Sequence, residues 1–223
     1  MILCIAEVLS AEELSKIQHL GERGEFIDGK LTAGWHARRV KNNMQMRGSD
    51  VLQEMTAAVM AALKRNELFQ MAARPKTIRA PLFSRYDAGM SYGTHTDNAV
   101  MTGQSQPMRT DLSMTIFLSS PDSYEGGELV IESTQGEQAF KLDAGAMVLY
   151  PSSTLHRVET VSSGSRFVAV SWVQSLVRSP EQREMLFDLD TARRTLFQQQ
   201  GKTATFDLLT KTQSNLMRMW TEI

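Results

Sequence analysis

The chain has 223 residues, 42% of them hydrophobic, with 24 Lys plus Arg against 25 Asp plus Glu. That length carries one sizeable packed domain with an appendage, and a formal net charge of -1 leaves no broad electrostatic footprint for nucleic acid or an anionic membrane. The lone Cys4 excludes an intrachain disulfide framework and a thiolate cluster, and it fits a reducing compartment.

No apolar stretch spans a bilayer, and the opening MILCIAEVLS lacks the basic leader and cleavage pattern of a secretory signal, so a cytoplasmic location is expected. Ser10 followed by Glu13 has the form of a capping box, which predicts a helix over 11–21 with Leu14 and Ile17 on one face. Residues 24–48 are polar and glycine-containing and read as loop or irregular strand; the basic run Arg38, Arg39, Lys41 reads as a solvated face. From residue 50 to about 68, Leu52, Met55, Val59 and Leu63 follow the helical i, i+3, i+7, i+11 pattern. This second helix should lie against a sheet.

After Pro75 the pattern changes to short β-prone segments: TIRAPLFSRY, the stretch around 92–95, DLSMTIFLS, GELVIES, EQAFKL, AMVLYP, LHRVETV and RFVAVSWV. Leu112, Met114, Ile116 and Leu118 alternate with Ser113, Thr115 and Phe117, which predicts one buried face. Asp122, Gly126, Gly127, Asp143, Gly145 and Gly164 supply turns between strands. Strands at this spacing predict a double-sheet jelly roll, a mainly β core with flanking helices (α+β). Ser179-Pro180 then opens a helix with Gln182 as box partner, Met185, Leu189, Ala192 and Leu196 on one face, and Gly201 at its end. A last helix carries Phe206, Leu209, Leu216 and Trp220. This pair packs on the barrel or on another subunit, the second case making a homo-oligomer.

Chemistry-bearing side chains gather in the β-rich half. His95 and Asp97 close RYDAGMSYGTHTD (85–97), and residues i and i+2 of a strand share a face, so an imidazole and a carboxylate project into one cavity. His156 sits in YPSSTLHRVETV, an apolar and β-branched setting. Two histidines and one carboxylate that leave positions open make the facial triad of non-haem Fe(II) sites. Arg166, ten residues later, leads the apolar run RFVAVSWV; a buried arginine needs an anion, and its planar fork matches a carboxylate. His19 on a helix surface and His36 in a polar loop read as structural, and Arg109 with Asp111 as a surface pair. The fourteen methionines read as core filling, and the small, polar run 94–106 as a mobile loop over the site.

Taken together, RYDAGMSYGTHTD, LSMTIFLS, YEGGELVIE, GAMVLYPSSTLHRVETV and GSRFVAVSW resemble the iron(II)- and 2-oxoglutarate-dependent dioxygenases of the prolyl hydroxylase type over roughly residues 78–173. Within that group the chain is most similar to the PKHD-type hydroxylases, which carry a helical C-terminus and a proposed link to iron uptake. The resemblance implies a double-stranded β-helix core, His95, Asp97 and His156 as iron ligands, and Arg166 as anchor for the distal carboxylate of 2-oxoglutarate. It also implies Tyr86 as a hydroxyl partner of that cosubstrate; on the residues alone, Tyr86 equally closes a core with its hydroxyl at the edge. Prolyl 4-hydroxylases generally carry lysine where Arg166 stands, and arginine agrees with the PKHD-type group. O2 is the second cosubstrate, ascorbate would help keep the iron reduced, and a small-molecule or peptidyl substrate would be hydroxylated with release of succinate and CO2. The division expected is residues 1–177 for the dioxygenase unit, with its core at about 77–174 and its N-terminal helices within 1–70, and 178–223 for a helical extension. The alternative is a cupin-like metal protein with a binding, sensing or non-oxidative role; the chain lacks the clustered histidines usual for it, and it leaves Arg166 without a task. Neither nucleic acid nor a membrane is expected as a partner.

Overall fold

The computed structural model describes residues 1–48, 50–102 and 106–222. Residues 103–105, within the run expected to form a mobile loop, lie outside the described residues. The first helix, α1 (Ala11–Glu22), starts as the sequence predicts. Ser10 Oγ accepts from Glu13 N at 3.3 Å, and Ser10 N donates back to Glu13 Oε2 at 2.9 Å. The predicted second helix is two: α2 (Asp50–Arg65) and α3 (Glu67–Ala73). Asn66 causes the break, since its side-chain oxygen accepts from Phe69 N at 2.9 Å and caps a new helix.

Among the described residues the strands form a nine-stranded sheet, a five-stranded sheet and a two-stranded ribbon. The large sheet runs in the order Leu3–Ile5, Met147–Pro151, Leu112–Phe117, Val161–Ser175, Leu82–Asp87, Met44–Met46, Phe26–Asp28, with Tyr124–Gly126 and Pro75–Ile78 also on Val161–Ser175. The smaller sheet runs Gly136–Phe140, Leu129–Ser133, His156–Val158, Ser91–His95, Lys41–Asn42. Every pairing is antiparallel, and the two sheets enclose one core to give the expected jelly roll.

The strand Leu112–Phe117 explains how the layers stack. Leu112, Met114 and Ile116 pack with Ile17, Met55, Val59, Leu63 and Phe69 of the helices. The opposite face is buried too, contrary to the single buried face that the alternation predicts. Phe117 joins the core between the sheets, while Ser113 and Thr115 line or brace the cavity inside it. A hydroxyl on a doubly covered sheet is kept when it has a partner inside. Gly164 is likewise not a turn between strands but lies within Val161–Ser175, opposite Tyr124. Its φ of +74° and the closeness of Ser123 and Tyr124 leave no room for a Cβ.

The last two helices, α4 (Pro180–Gln200) and α5 (Ala204–Trp220), return onto the same chain. Glu222 N donates to Leu176 O at 2.8 Å, and Arg109 Nη1 reaches Glu222 Oε2 at 2.9 Å. Arg109 also pairs with Asp111 at 2.7 Å, and Asp111 accepts from Ser175 N, so the expected surface pair is a half-buried clamp on the chain end. The inward side of α4 is Arg183, Leu186 and Asp190, whereas Met185, expected on that side, is 59% exposed. Arg183 Nη1 donates to Val177 O and Arg178 O, both at 2.8 Å, and Asp190 meets Arg74 and Arg193, so polar contacts rather than apolar periodicity orient the helix. Among the described residues, no helix is long and apolar enough to cross a membrane.

Leu63→Ala should lower the unfolding free energy by about 2–5 kcal/mol, because Leu63 is fully buried. Met185→Ala should stay within about 0.5 kcal/mol. Urea unfolding of both variants checks the pair, and a large loss for Met185→Ala would contradict the helix orientation described.

Candidate active site

His95 ends the strand Ser91–His95, and His156 begins His156–Val158; in the antiparallel ladder the two are direct register partners. Side chains of opposed residues stand on the same face at close range, so the register alone brings both imidazoles together, with ring centroids 4.3 Å apart. Asp97, one residue beyond Thr96, turns in beside them, with Oδ2 3.8 Å from His156 Nε2. One ligand atom from each of the three lies within 4.8 Å of the others. All three side chains are nearly closed from solvent.

The surroundings fix which atoms point inward. His95 Nδ1 lies 2.8 Å from Gly93 O, and His156 Nδ1 lies 3.1 Å from Thr154 O. A carbonyl only accepts, so each Nδ1 carries the proton and each Nε2 presents its lone pair to the centre. Ser113 Oγ donates to Asp97 Oδ2 at 2.6 Å, which obliges Ser152 Oγ, 2.8 Å away, to donate to Ser113. Tyr92 stacks on His95 at 3.6 Å, and Tyr150 meets His156 edge-on. Burial, with His156 alongside, pulls His95 from its ordinary value of 6.5 down to about 4, so it is neutral at physiological pH.

The three residues open on a cavity of about 100 Å³ that also takes in Tyr86, Thr115, Tyr150 and Arg166. Arg166 is 1% exposed, with its guanidinium 5.1 Å from the Tyr86 ring centroid and 5.5 Å from that of Phe117. Among the described residues no carboxylate pairs with it, and its Nε has no partner. Both amide atoms of Asn43, in the same cavity, are also buried without hydrogen-bond partners. Gly127 makes room for the Arg166 stem: its φ is +69°, and a Cβ there would stand 3.0 Å from Arg166 Cδ. A buried cation beside unsatisfied polar groups fits an incoming carboxylate, and two imidazoles with a carboxylate fit a divalent iron-type ion.

The five residues singled out in the sequence, His95, Asp97, His156, Arg166 and Tyr86, thus line one cavity. His19 is exposed beside Glu22, and His36 is exposed with its ring against Trp35. Lys41 is the correction: it is 6% exposed and lines the cavity instead of facing solvent. Its Nζ donates to Thr32 Oγ1 at 3.1 Å and lies 5.1 Å from the Tyr92 ring centroid. Burial draws this ammonium down to about 8, with Asp97 and Asp28 opposing. Its pairing opposite Tyr92, which turns it inward, leaves no periodic trace in the sequence. Ser113, by contrast, could have been found from the polar face of its strand.

A jelly roll with a His, Asp, His cluster and a buried arginine is the arrangement of the 2OG-Fe(II) oxygenase superfamily, whose family model matches residues 81–174. The fold agrees with solved structures of a Pseudomonas putida prolyl-4-hydroxylase (TM-score 0.52, 16% identity, 78% of this chain and 92% of that one). It agrees also with a Trichoplax adhaerens prolyl hydroxylase bound to a hypoxia inducible factor peptide fragment (0.55, 14%, 83% and 86%). A second family model, the PKHD-type hydroxylase C-terminal domain, matches residues 181–222. A PKHD-type hydroxylase of Synechococcus sp. (strain JA-2-3B'a(2-13)) is 60% identical over the whole of both chains. The chain belongs to the PKHD-type hydroxylases, and it is a 2-oxoglutarate-dependent hydroxylase.

The depressed His95 value sets a pH window. The unfolded chain takes up a proton at this residue near 6.5 and the folded chain only near 4, so stability of the metal-free protein should fall as pH drops through that interval and be flat above it. Urea unfolding at pH 7.5, 5.5 and 4.5 should give a shallower decline for His95→Gln than for wild type; equal declines would mean that His95 is not held neutral.

Proposed function

We propose that His95, Asp97 and His156 hold the iron(II), that Arg166 with Tyr86 holds the distal carboxylate of 2-oxoglutarate, and that a small-molecule or peptidyl substrate is hydroxylated at the cavity mouth. The observation that carries this reading is the unpaired, fully buried Arg166 in the same cavity as the three metal-capable side chains. Iron(II) with 2-oxoglutarate and O2, when bound, supplies the oxidation in which the keto acid becomes succinate and CO2 and one oxygen atom enters a substrate C–H bond.

The chain's own part is position and electrostatics. The two Nδ1 donations to Gly93 and Thr154 hold the imidazoles in the tautomer that binds metal, and Ser113 holds one oxygen of Asp97 so that the other is free to turn to the ion. Tyr86, Phe117 and Tyr124 shield Arg166 from water, which strengthens its pull on a carboxylate and makes a neutral occupant unfavourable. We also propose residues 1–177 as the oxygenase unit and 178–223 as its helical extension; the family matches at 81–174 and 181–222 lie on either side of this boundary and support it. The contacts of Glu222 with Arg109 and Leu176 support a bracing role for that extension.

Asp97→Ala should weaken iron(II) binding and stop turnover. Ser113→Ala should lower iron affinity by about 10–100-fold while leaving the fold intact. Arg166→Ala should keep its iron but need about a hundredfold or more 2-oxoglutarate. Iron retention and succinate formation from 2-oxoglutarate read all three, and wild-type succinate production by Asp97→Ala and Arg166→Ala would refute the site assignment.

A further inference from the structure

Between Asp28 and Asp50 the chain carries Lys30, Arg38, Arg39, Lys41 and Arg47 and no acidic residue, in a protein whose formal net charge is -1. This is the segment that borders the cavity, with Thr32, Gly34 and Ala37 lining it beside Lys41. Two features of the segment ask for an occupant. Lys41 is a buried ammonium whose hydrogen-bond partner is the neutral Thr32 hydroxyl, and among the described residues no carboxylate lies at ion-pair distance from it. A buried charge with a neutral partner is incompletely compensated. Farther out, Arg38 and Arg39 are exposed and pair with no described carboxylate, and Trp35 is 79% exposed with its ring against His36 alone.

The iron and 2-oxoglutarate assigned above to the cavity take up its interior, so the substrate is met at the mouth and reaches inward with one group. The cations and the exposed Leu31, Trp35 and Val40 are spread along the segment, which calls for a partner whose acids and apolar groups are spread along a chain. The overall charge of -1 gives a polyphosphate no long-range attraction.

We propose that residues 30–41 form the substrate-recognition shelf of the oxygenase and that the substrate is an acidic peptide segment. Lys41 Nζ holds one of its carboxylates at the cavity wall, Arg38 and Arg39 meet flanking acids, and Trp35 takes an apolar side chain. The proposal rests on the oxygenase reading above and names its substrate class.

The test uses full-length protein loaded with zinc(II), which does not turn over, and 2-oxoglutarate. Fluorescein-labelled nine-residue peptides of alternating Glu and Leu, Lys and Leu, or Ser and Leu are titrated by fluorescence polarisation, each in low and in 0.15 M salt. The acidic peptide should bind at least about tenfold more tightly than the neutral one. Lys41→Met should remove most of that preference, Arg38→Ser with Arg39→Ser should flatten its salt dependence, and the Arg38→Ser, Arg39→Ser protein should bind 2-oxoglutarate within about twofold of wild type. Equal binding of the three peptides, displacement by free glutamate as effective as by unlabelled peptide, or tighter binding of a labelled single-stranded oligonucleotide would each overturn the proposal. So would a Lys41→Met protein that loses 2-oxoglutarate and keeps the peptide preference. Failure of wild type to bind 2-oxoglutarate at all would instead strike the oxygenase reading beneath it.

Discussion

The register that sets His156 opposite His95 is the constraint on which the rest of the site depends. A strand alternates faces with every residue, so a slip of one position would send an imidazole out of the cavity and bring in Thr94 or Thr96 for His95, Leu155 or Arg157 for His156. Several contacts forbid the slip. Ile131 pairs with His156 from the other side, Val158 faces Tyr92 across a local irregularity in the ladder, and Tyr92 stacks on the His95 ring. Gly93 allows the close passage of Val40, whose Cβ a side chain at that position would meet at 2.8 Å. Asp97 then needs only two further residues of chain to join the pair. Leu129, Ile131 and Val158 carry this ladder against Phe117, Val148 and Val168 of the large sheet, which makes the metal-capable cluster an extension of the core and not a loop feature.

Against that apolar background the cavity holds polar groups that the fold alone would not keep. Arg166 and Lys41 are both buried, both lack a carboxylate at pairing distance among the described residues, and the Asn43 amide stands unpartnered. Each such group costs about 1–3 kcal/mol when unsatisfied, more for a charge, so the fold keeps them in the cavity at a cost to stability. Elsewhere buried charges meet opposite charges or carbonyls: Arg183 donates to the carbonyls of Val177 and Arg178, and Asp190 meets Arg74 and Arg193, although Arg74 Nε is left without a partner.

What could be read in advance follows the same physics. The HxD pair is legible because its i, i+2 spacing brings two ligands together, although the strand ends at His95 and Asp97 turns in just beyond it; Arg166 is legible because it leads an apolar run, and a turn-rich series of β-prone segments after Pro75 has few architectures open to it. Lys41 was not legible as a cavity residue, since its burial comes from a non-periodic segment closing over the site. The break at Asn66 carried its own signal, an amide able to cap Phe69, outweighed by the apolar run continuing across it. Apolar periodicity misplaces the inward face of α4 because it cannot foresee Arg183 and Asp190 turning inward toward polar partners. Ser113 and Thr115 teach the converse: hydroxyls alternating along a strand buried on both faces mark the lining of a site.

The central claim is that this cavity assembles iron and a keto acid on His95, Asp97, His156 and Arg166. The most direct test is an anaerobic titration of the iron(II)-loaded protein with 2-oxoglutarate, followed by visible absorption. The account predicts the weak charge-transfer band of a keto acid chelated to iron(II), saturating in wild type and shifted to much higher 2-oxoglutarate in Arg166→Ala. Iron binding with no such band at saturating 2-oxoglutarate would contradict it.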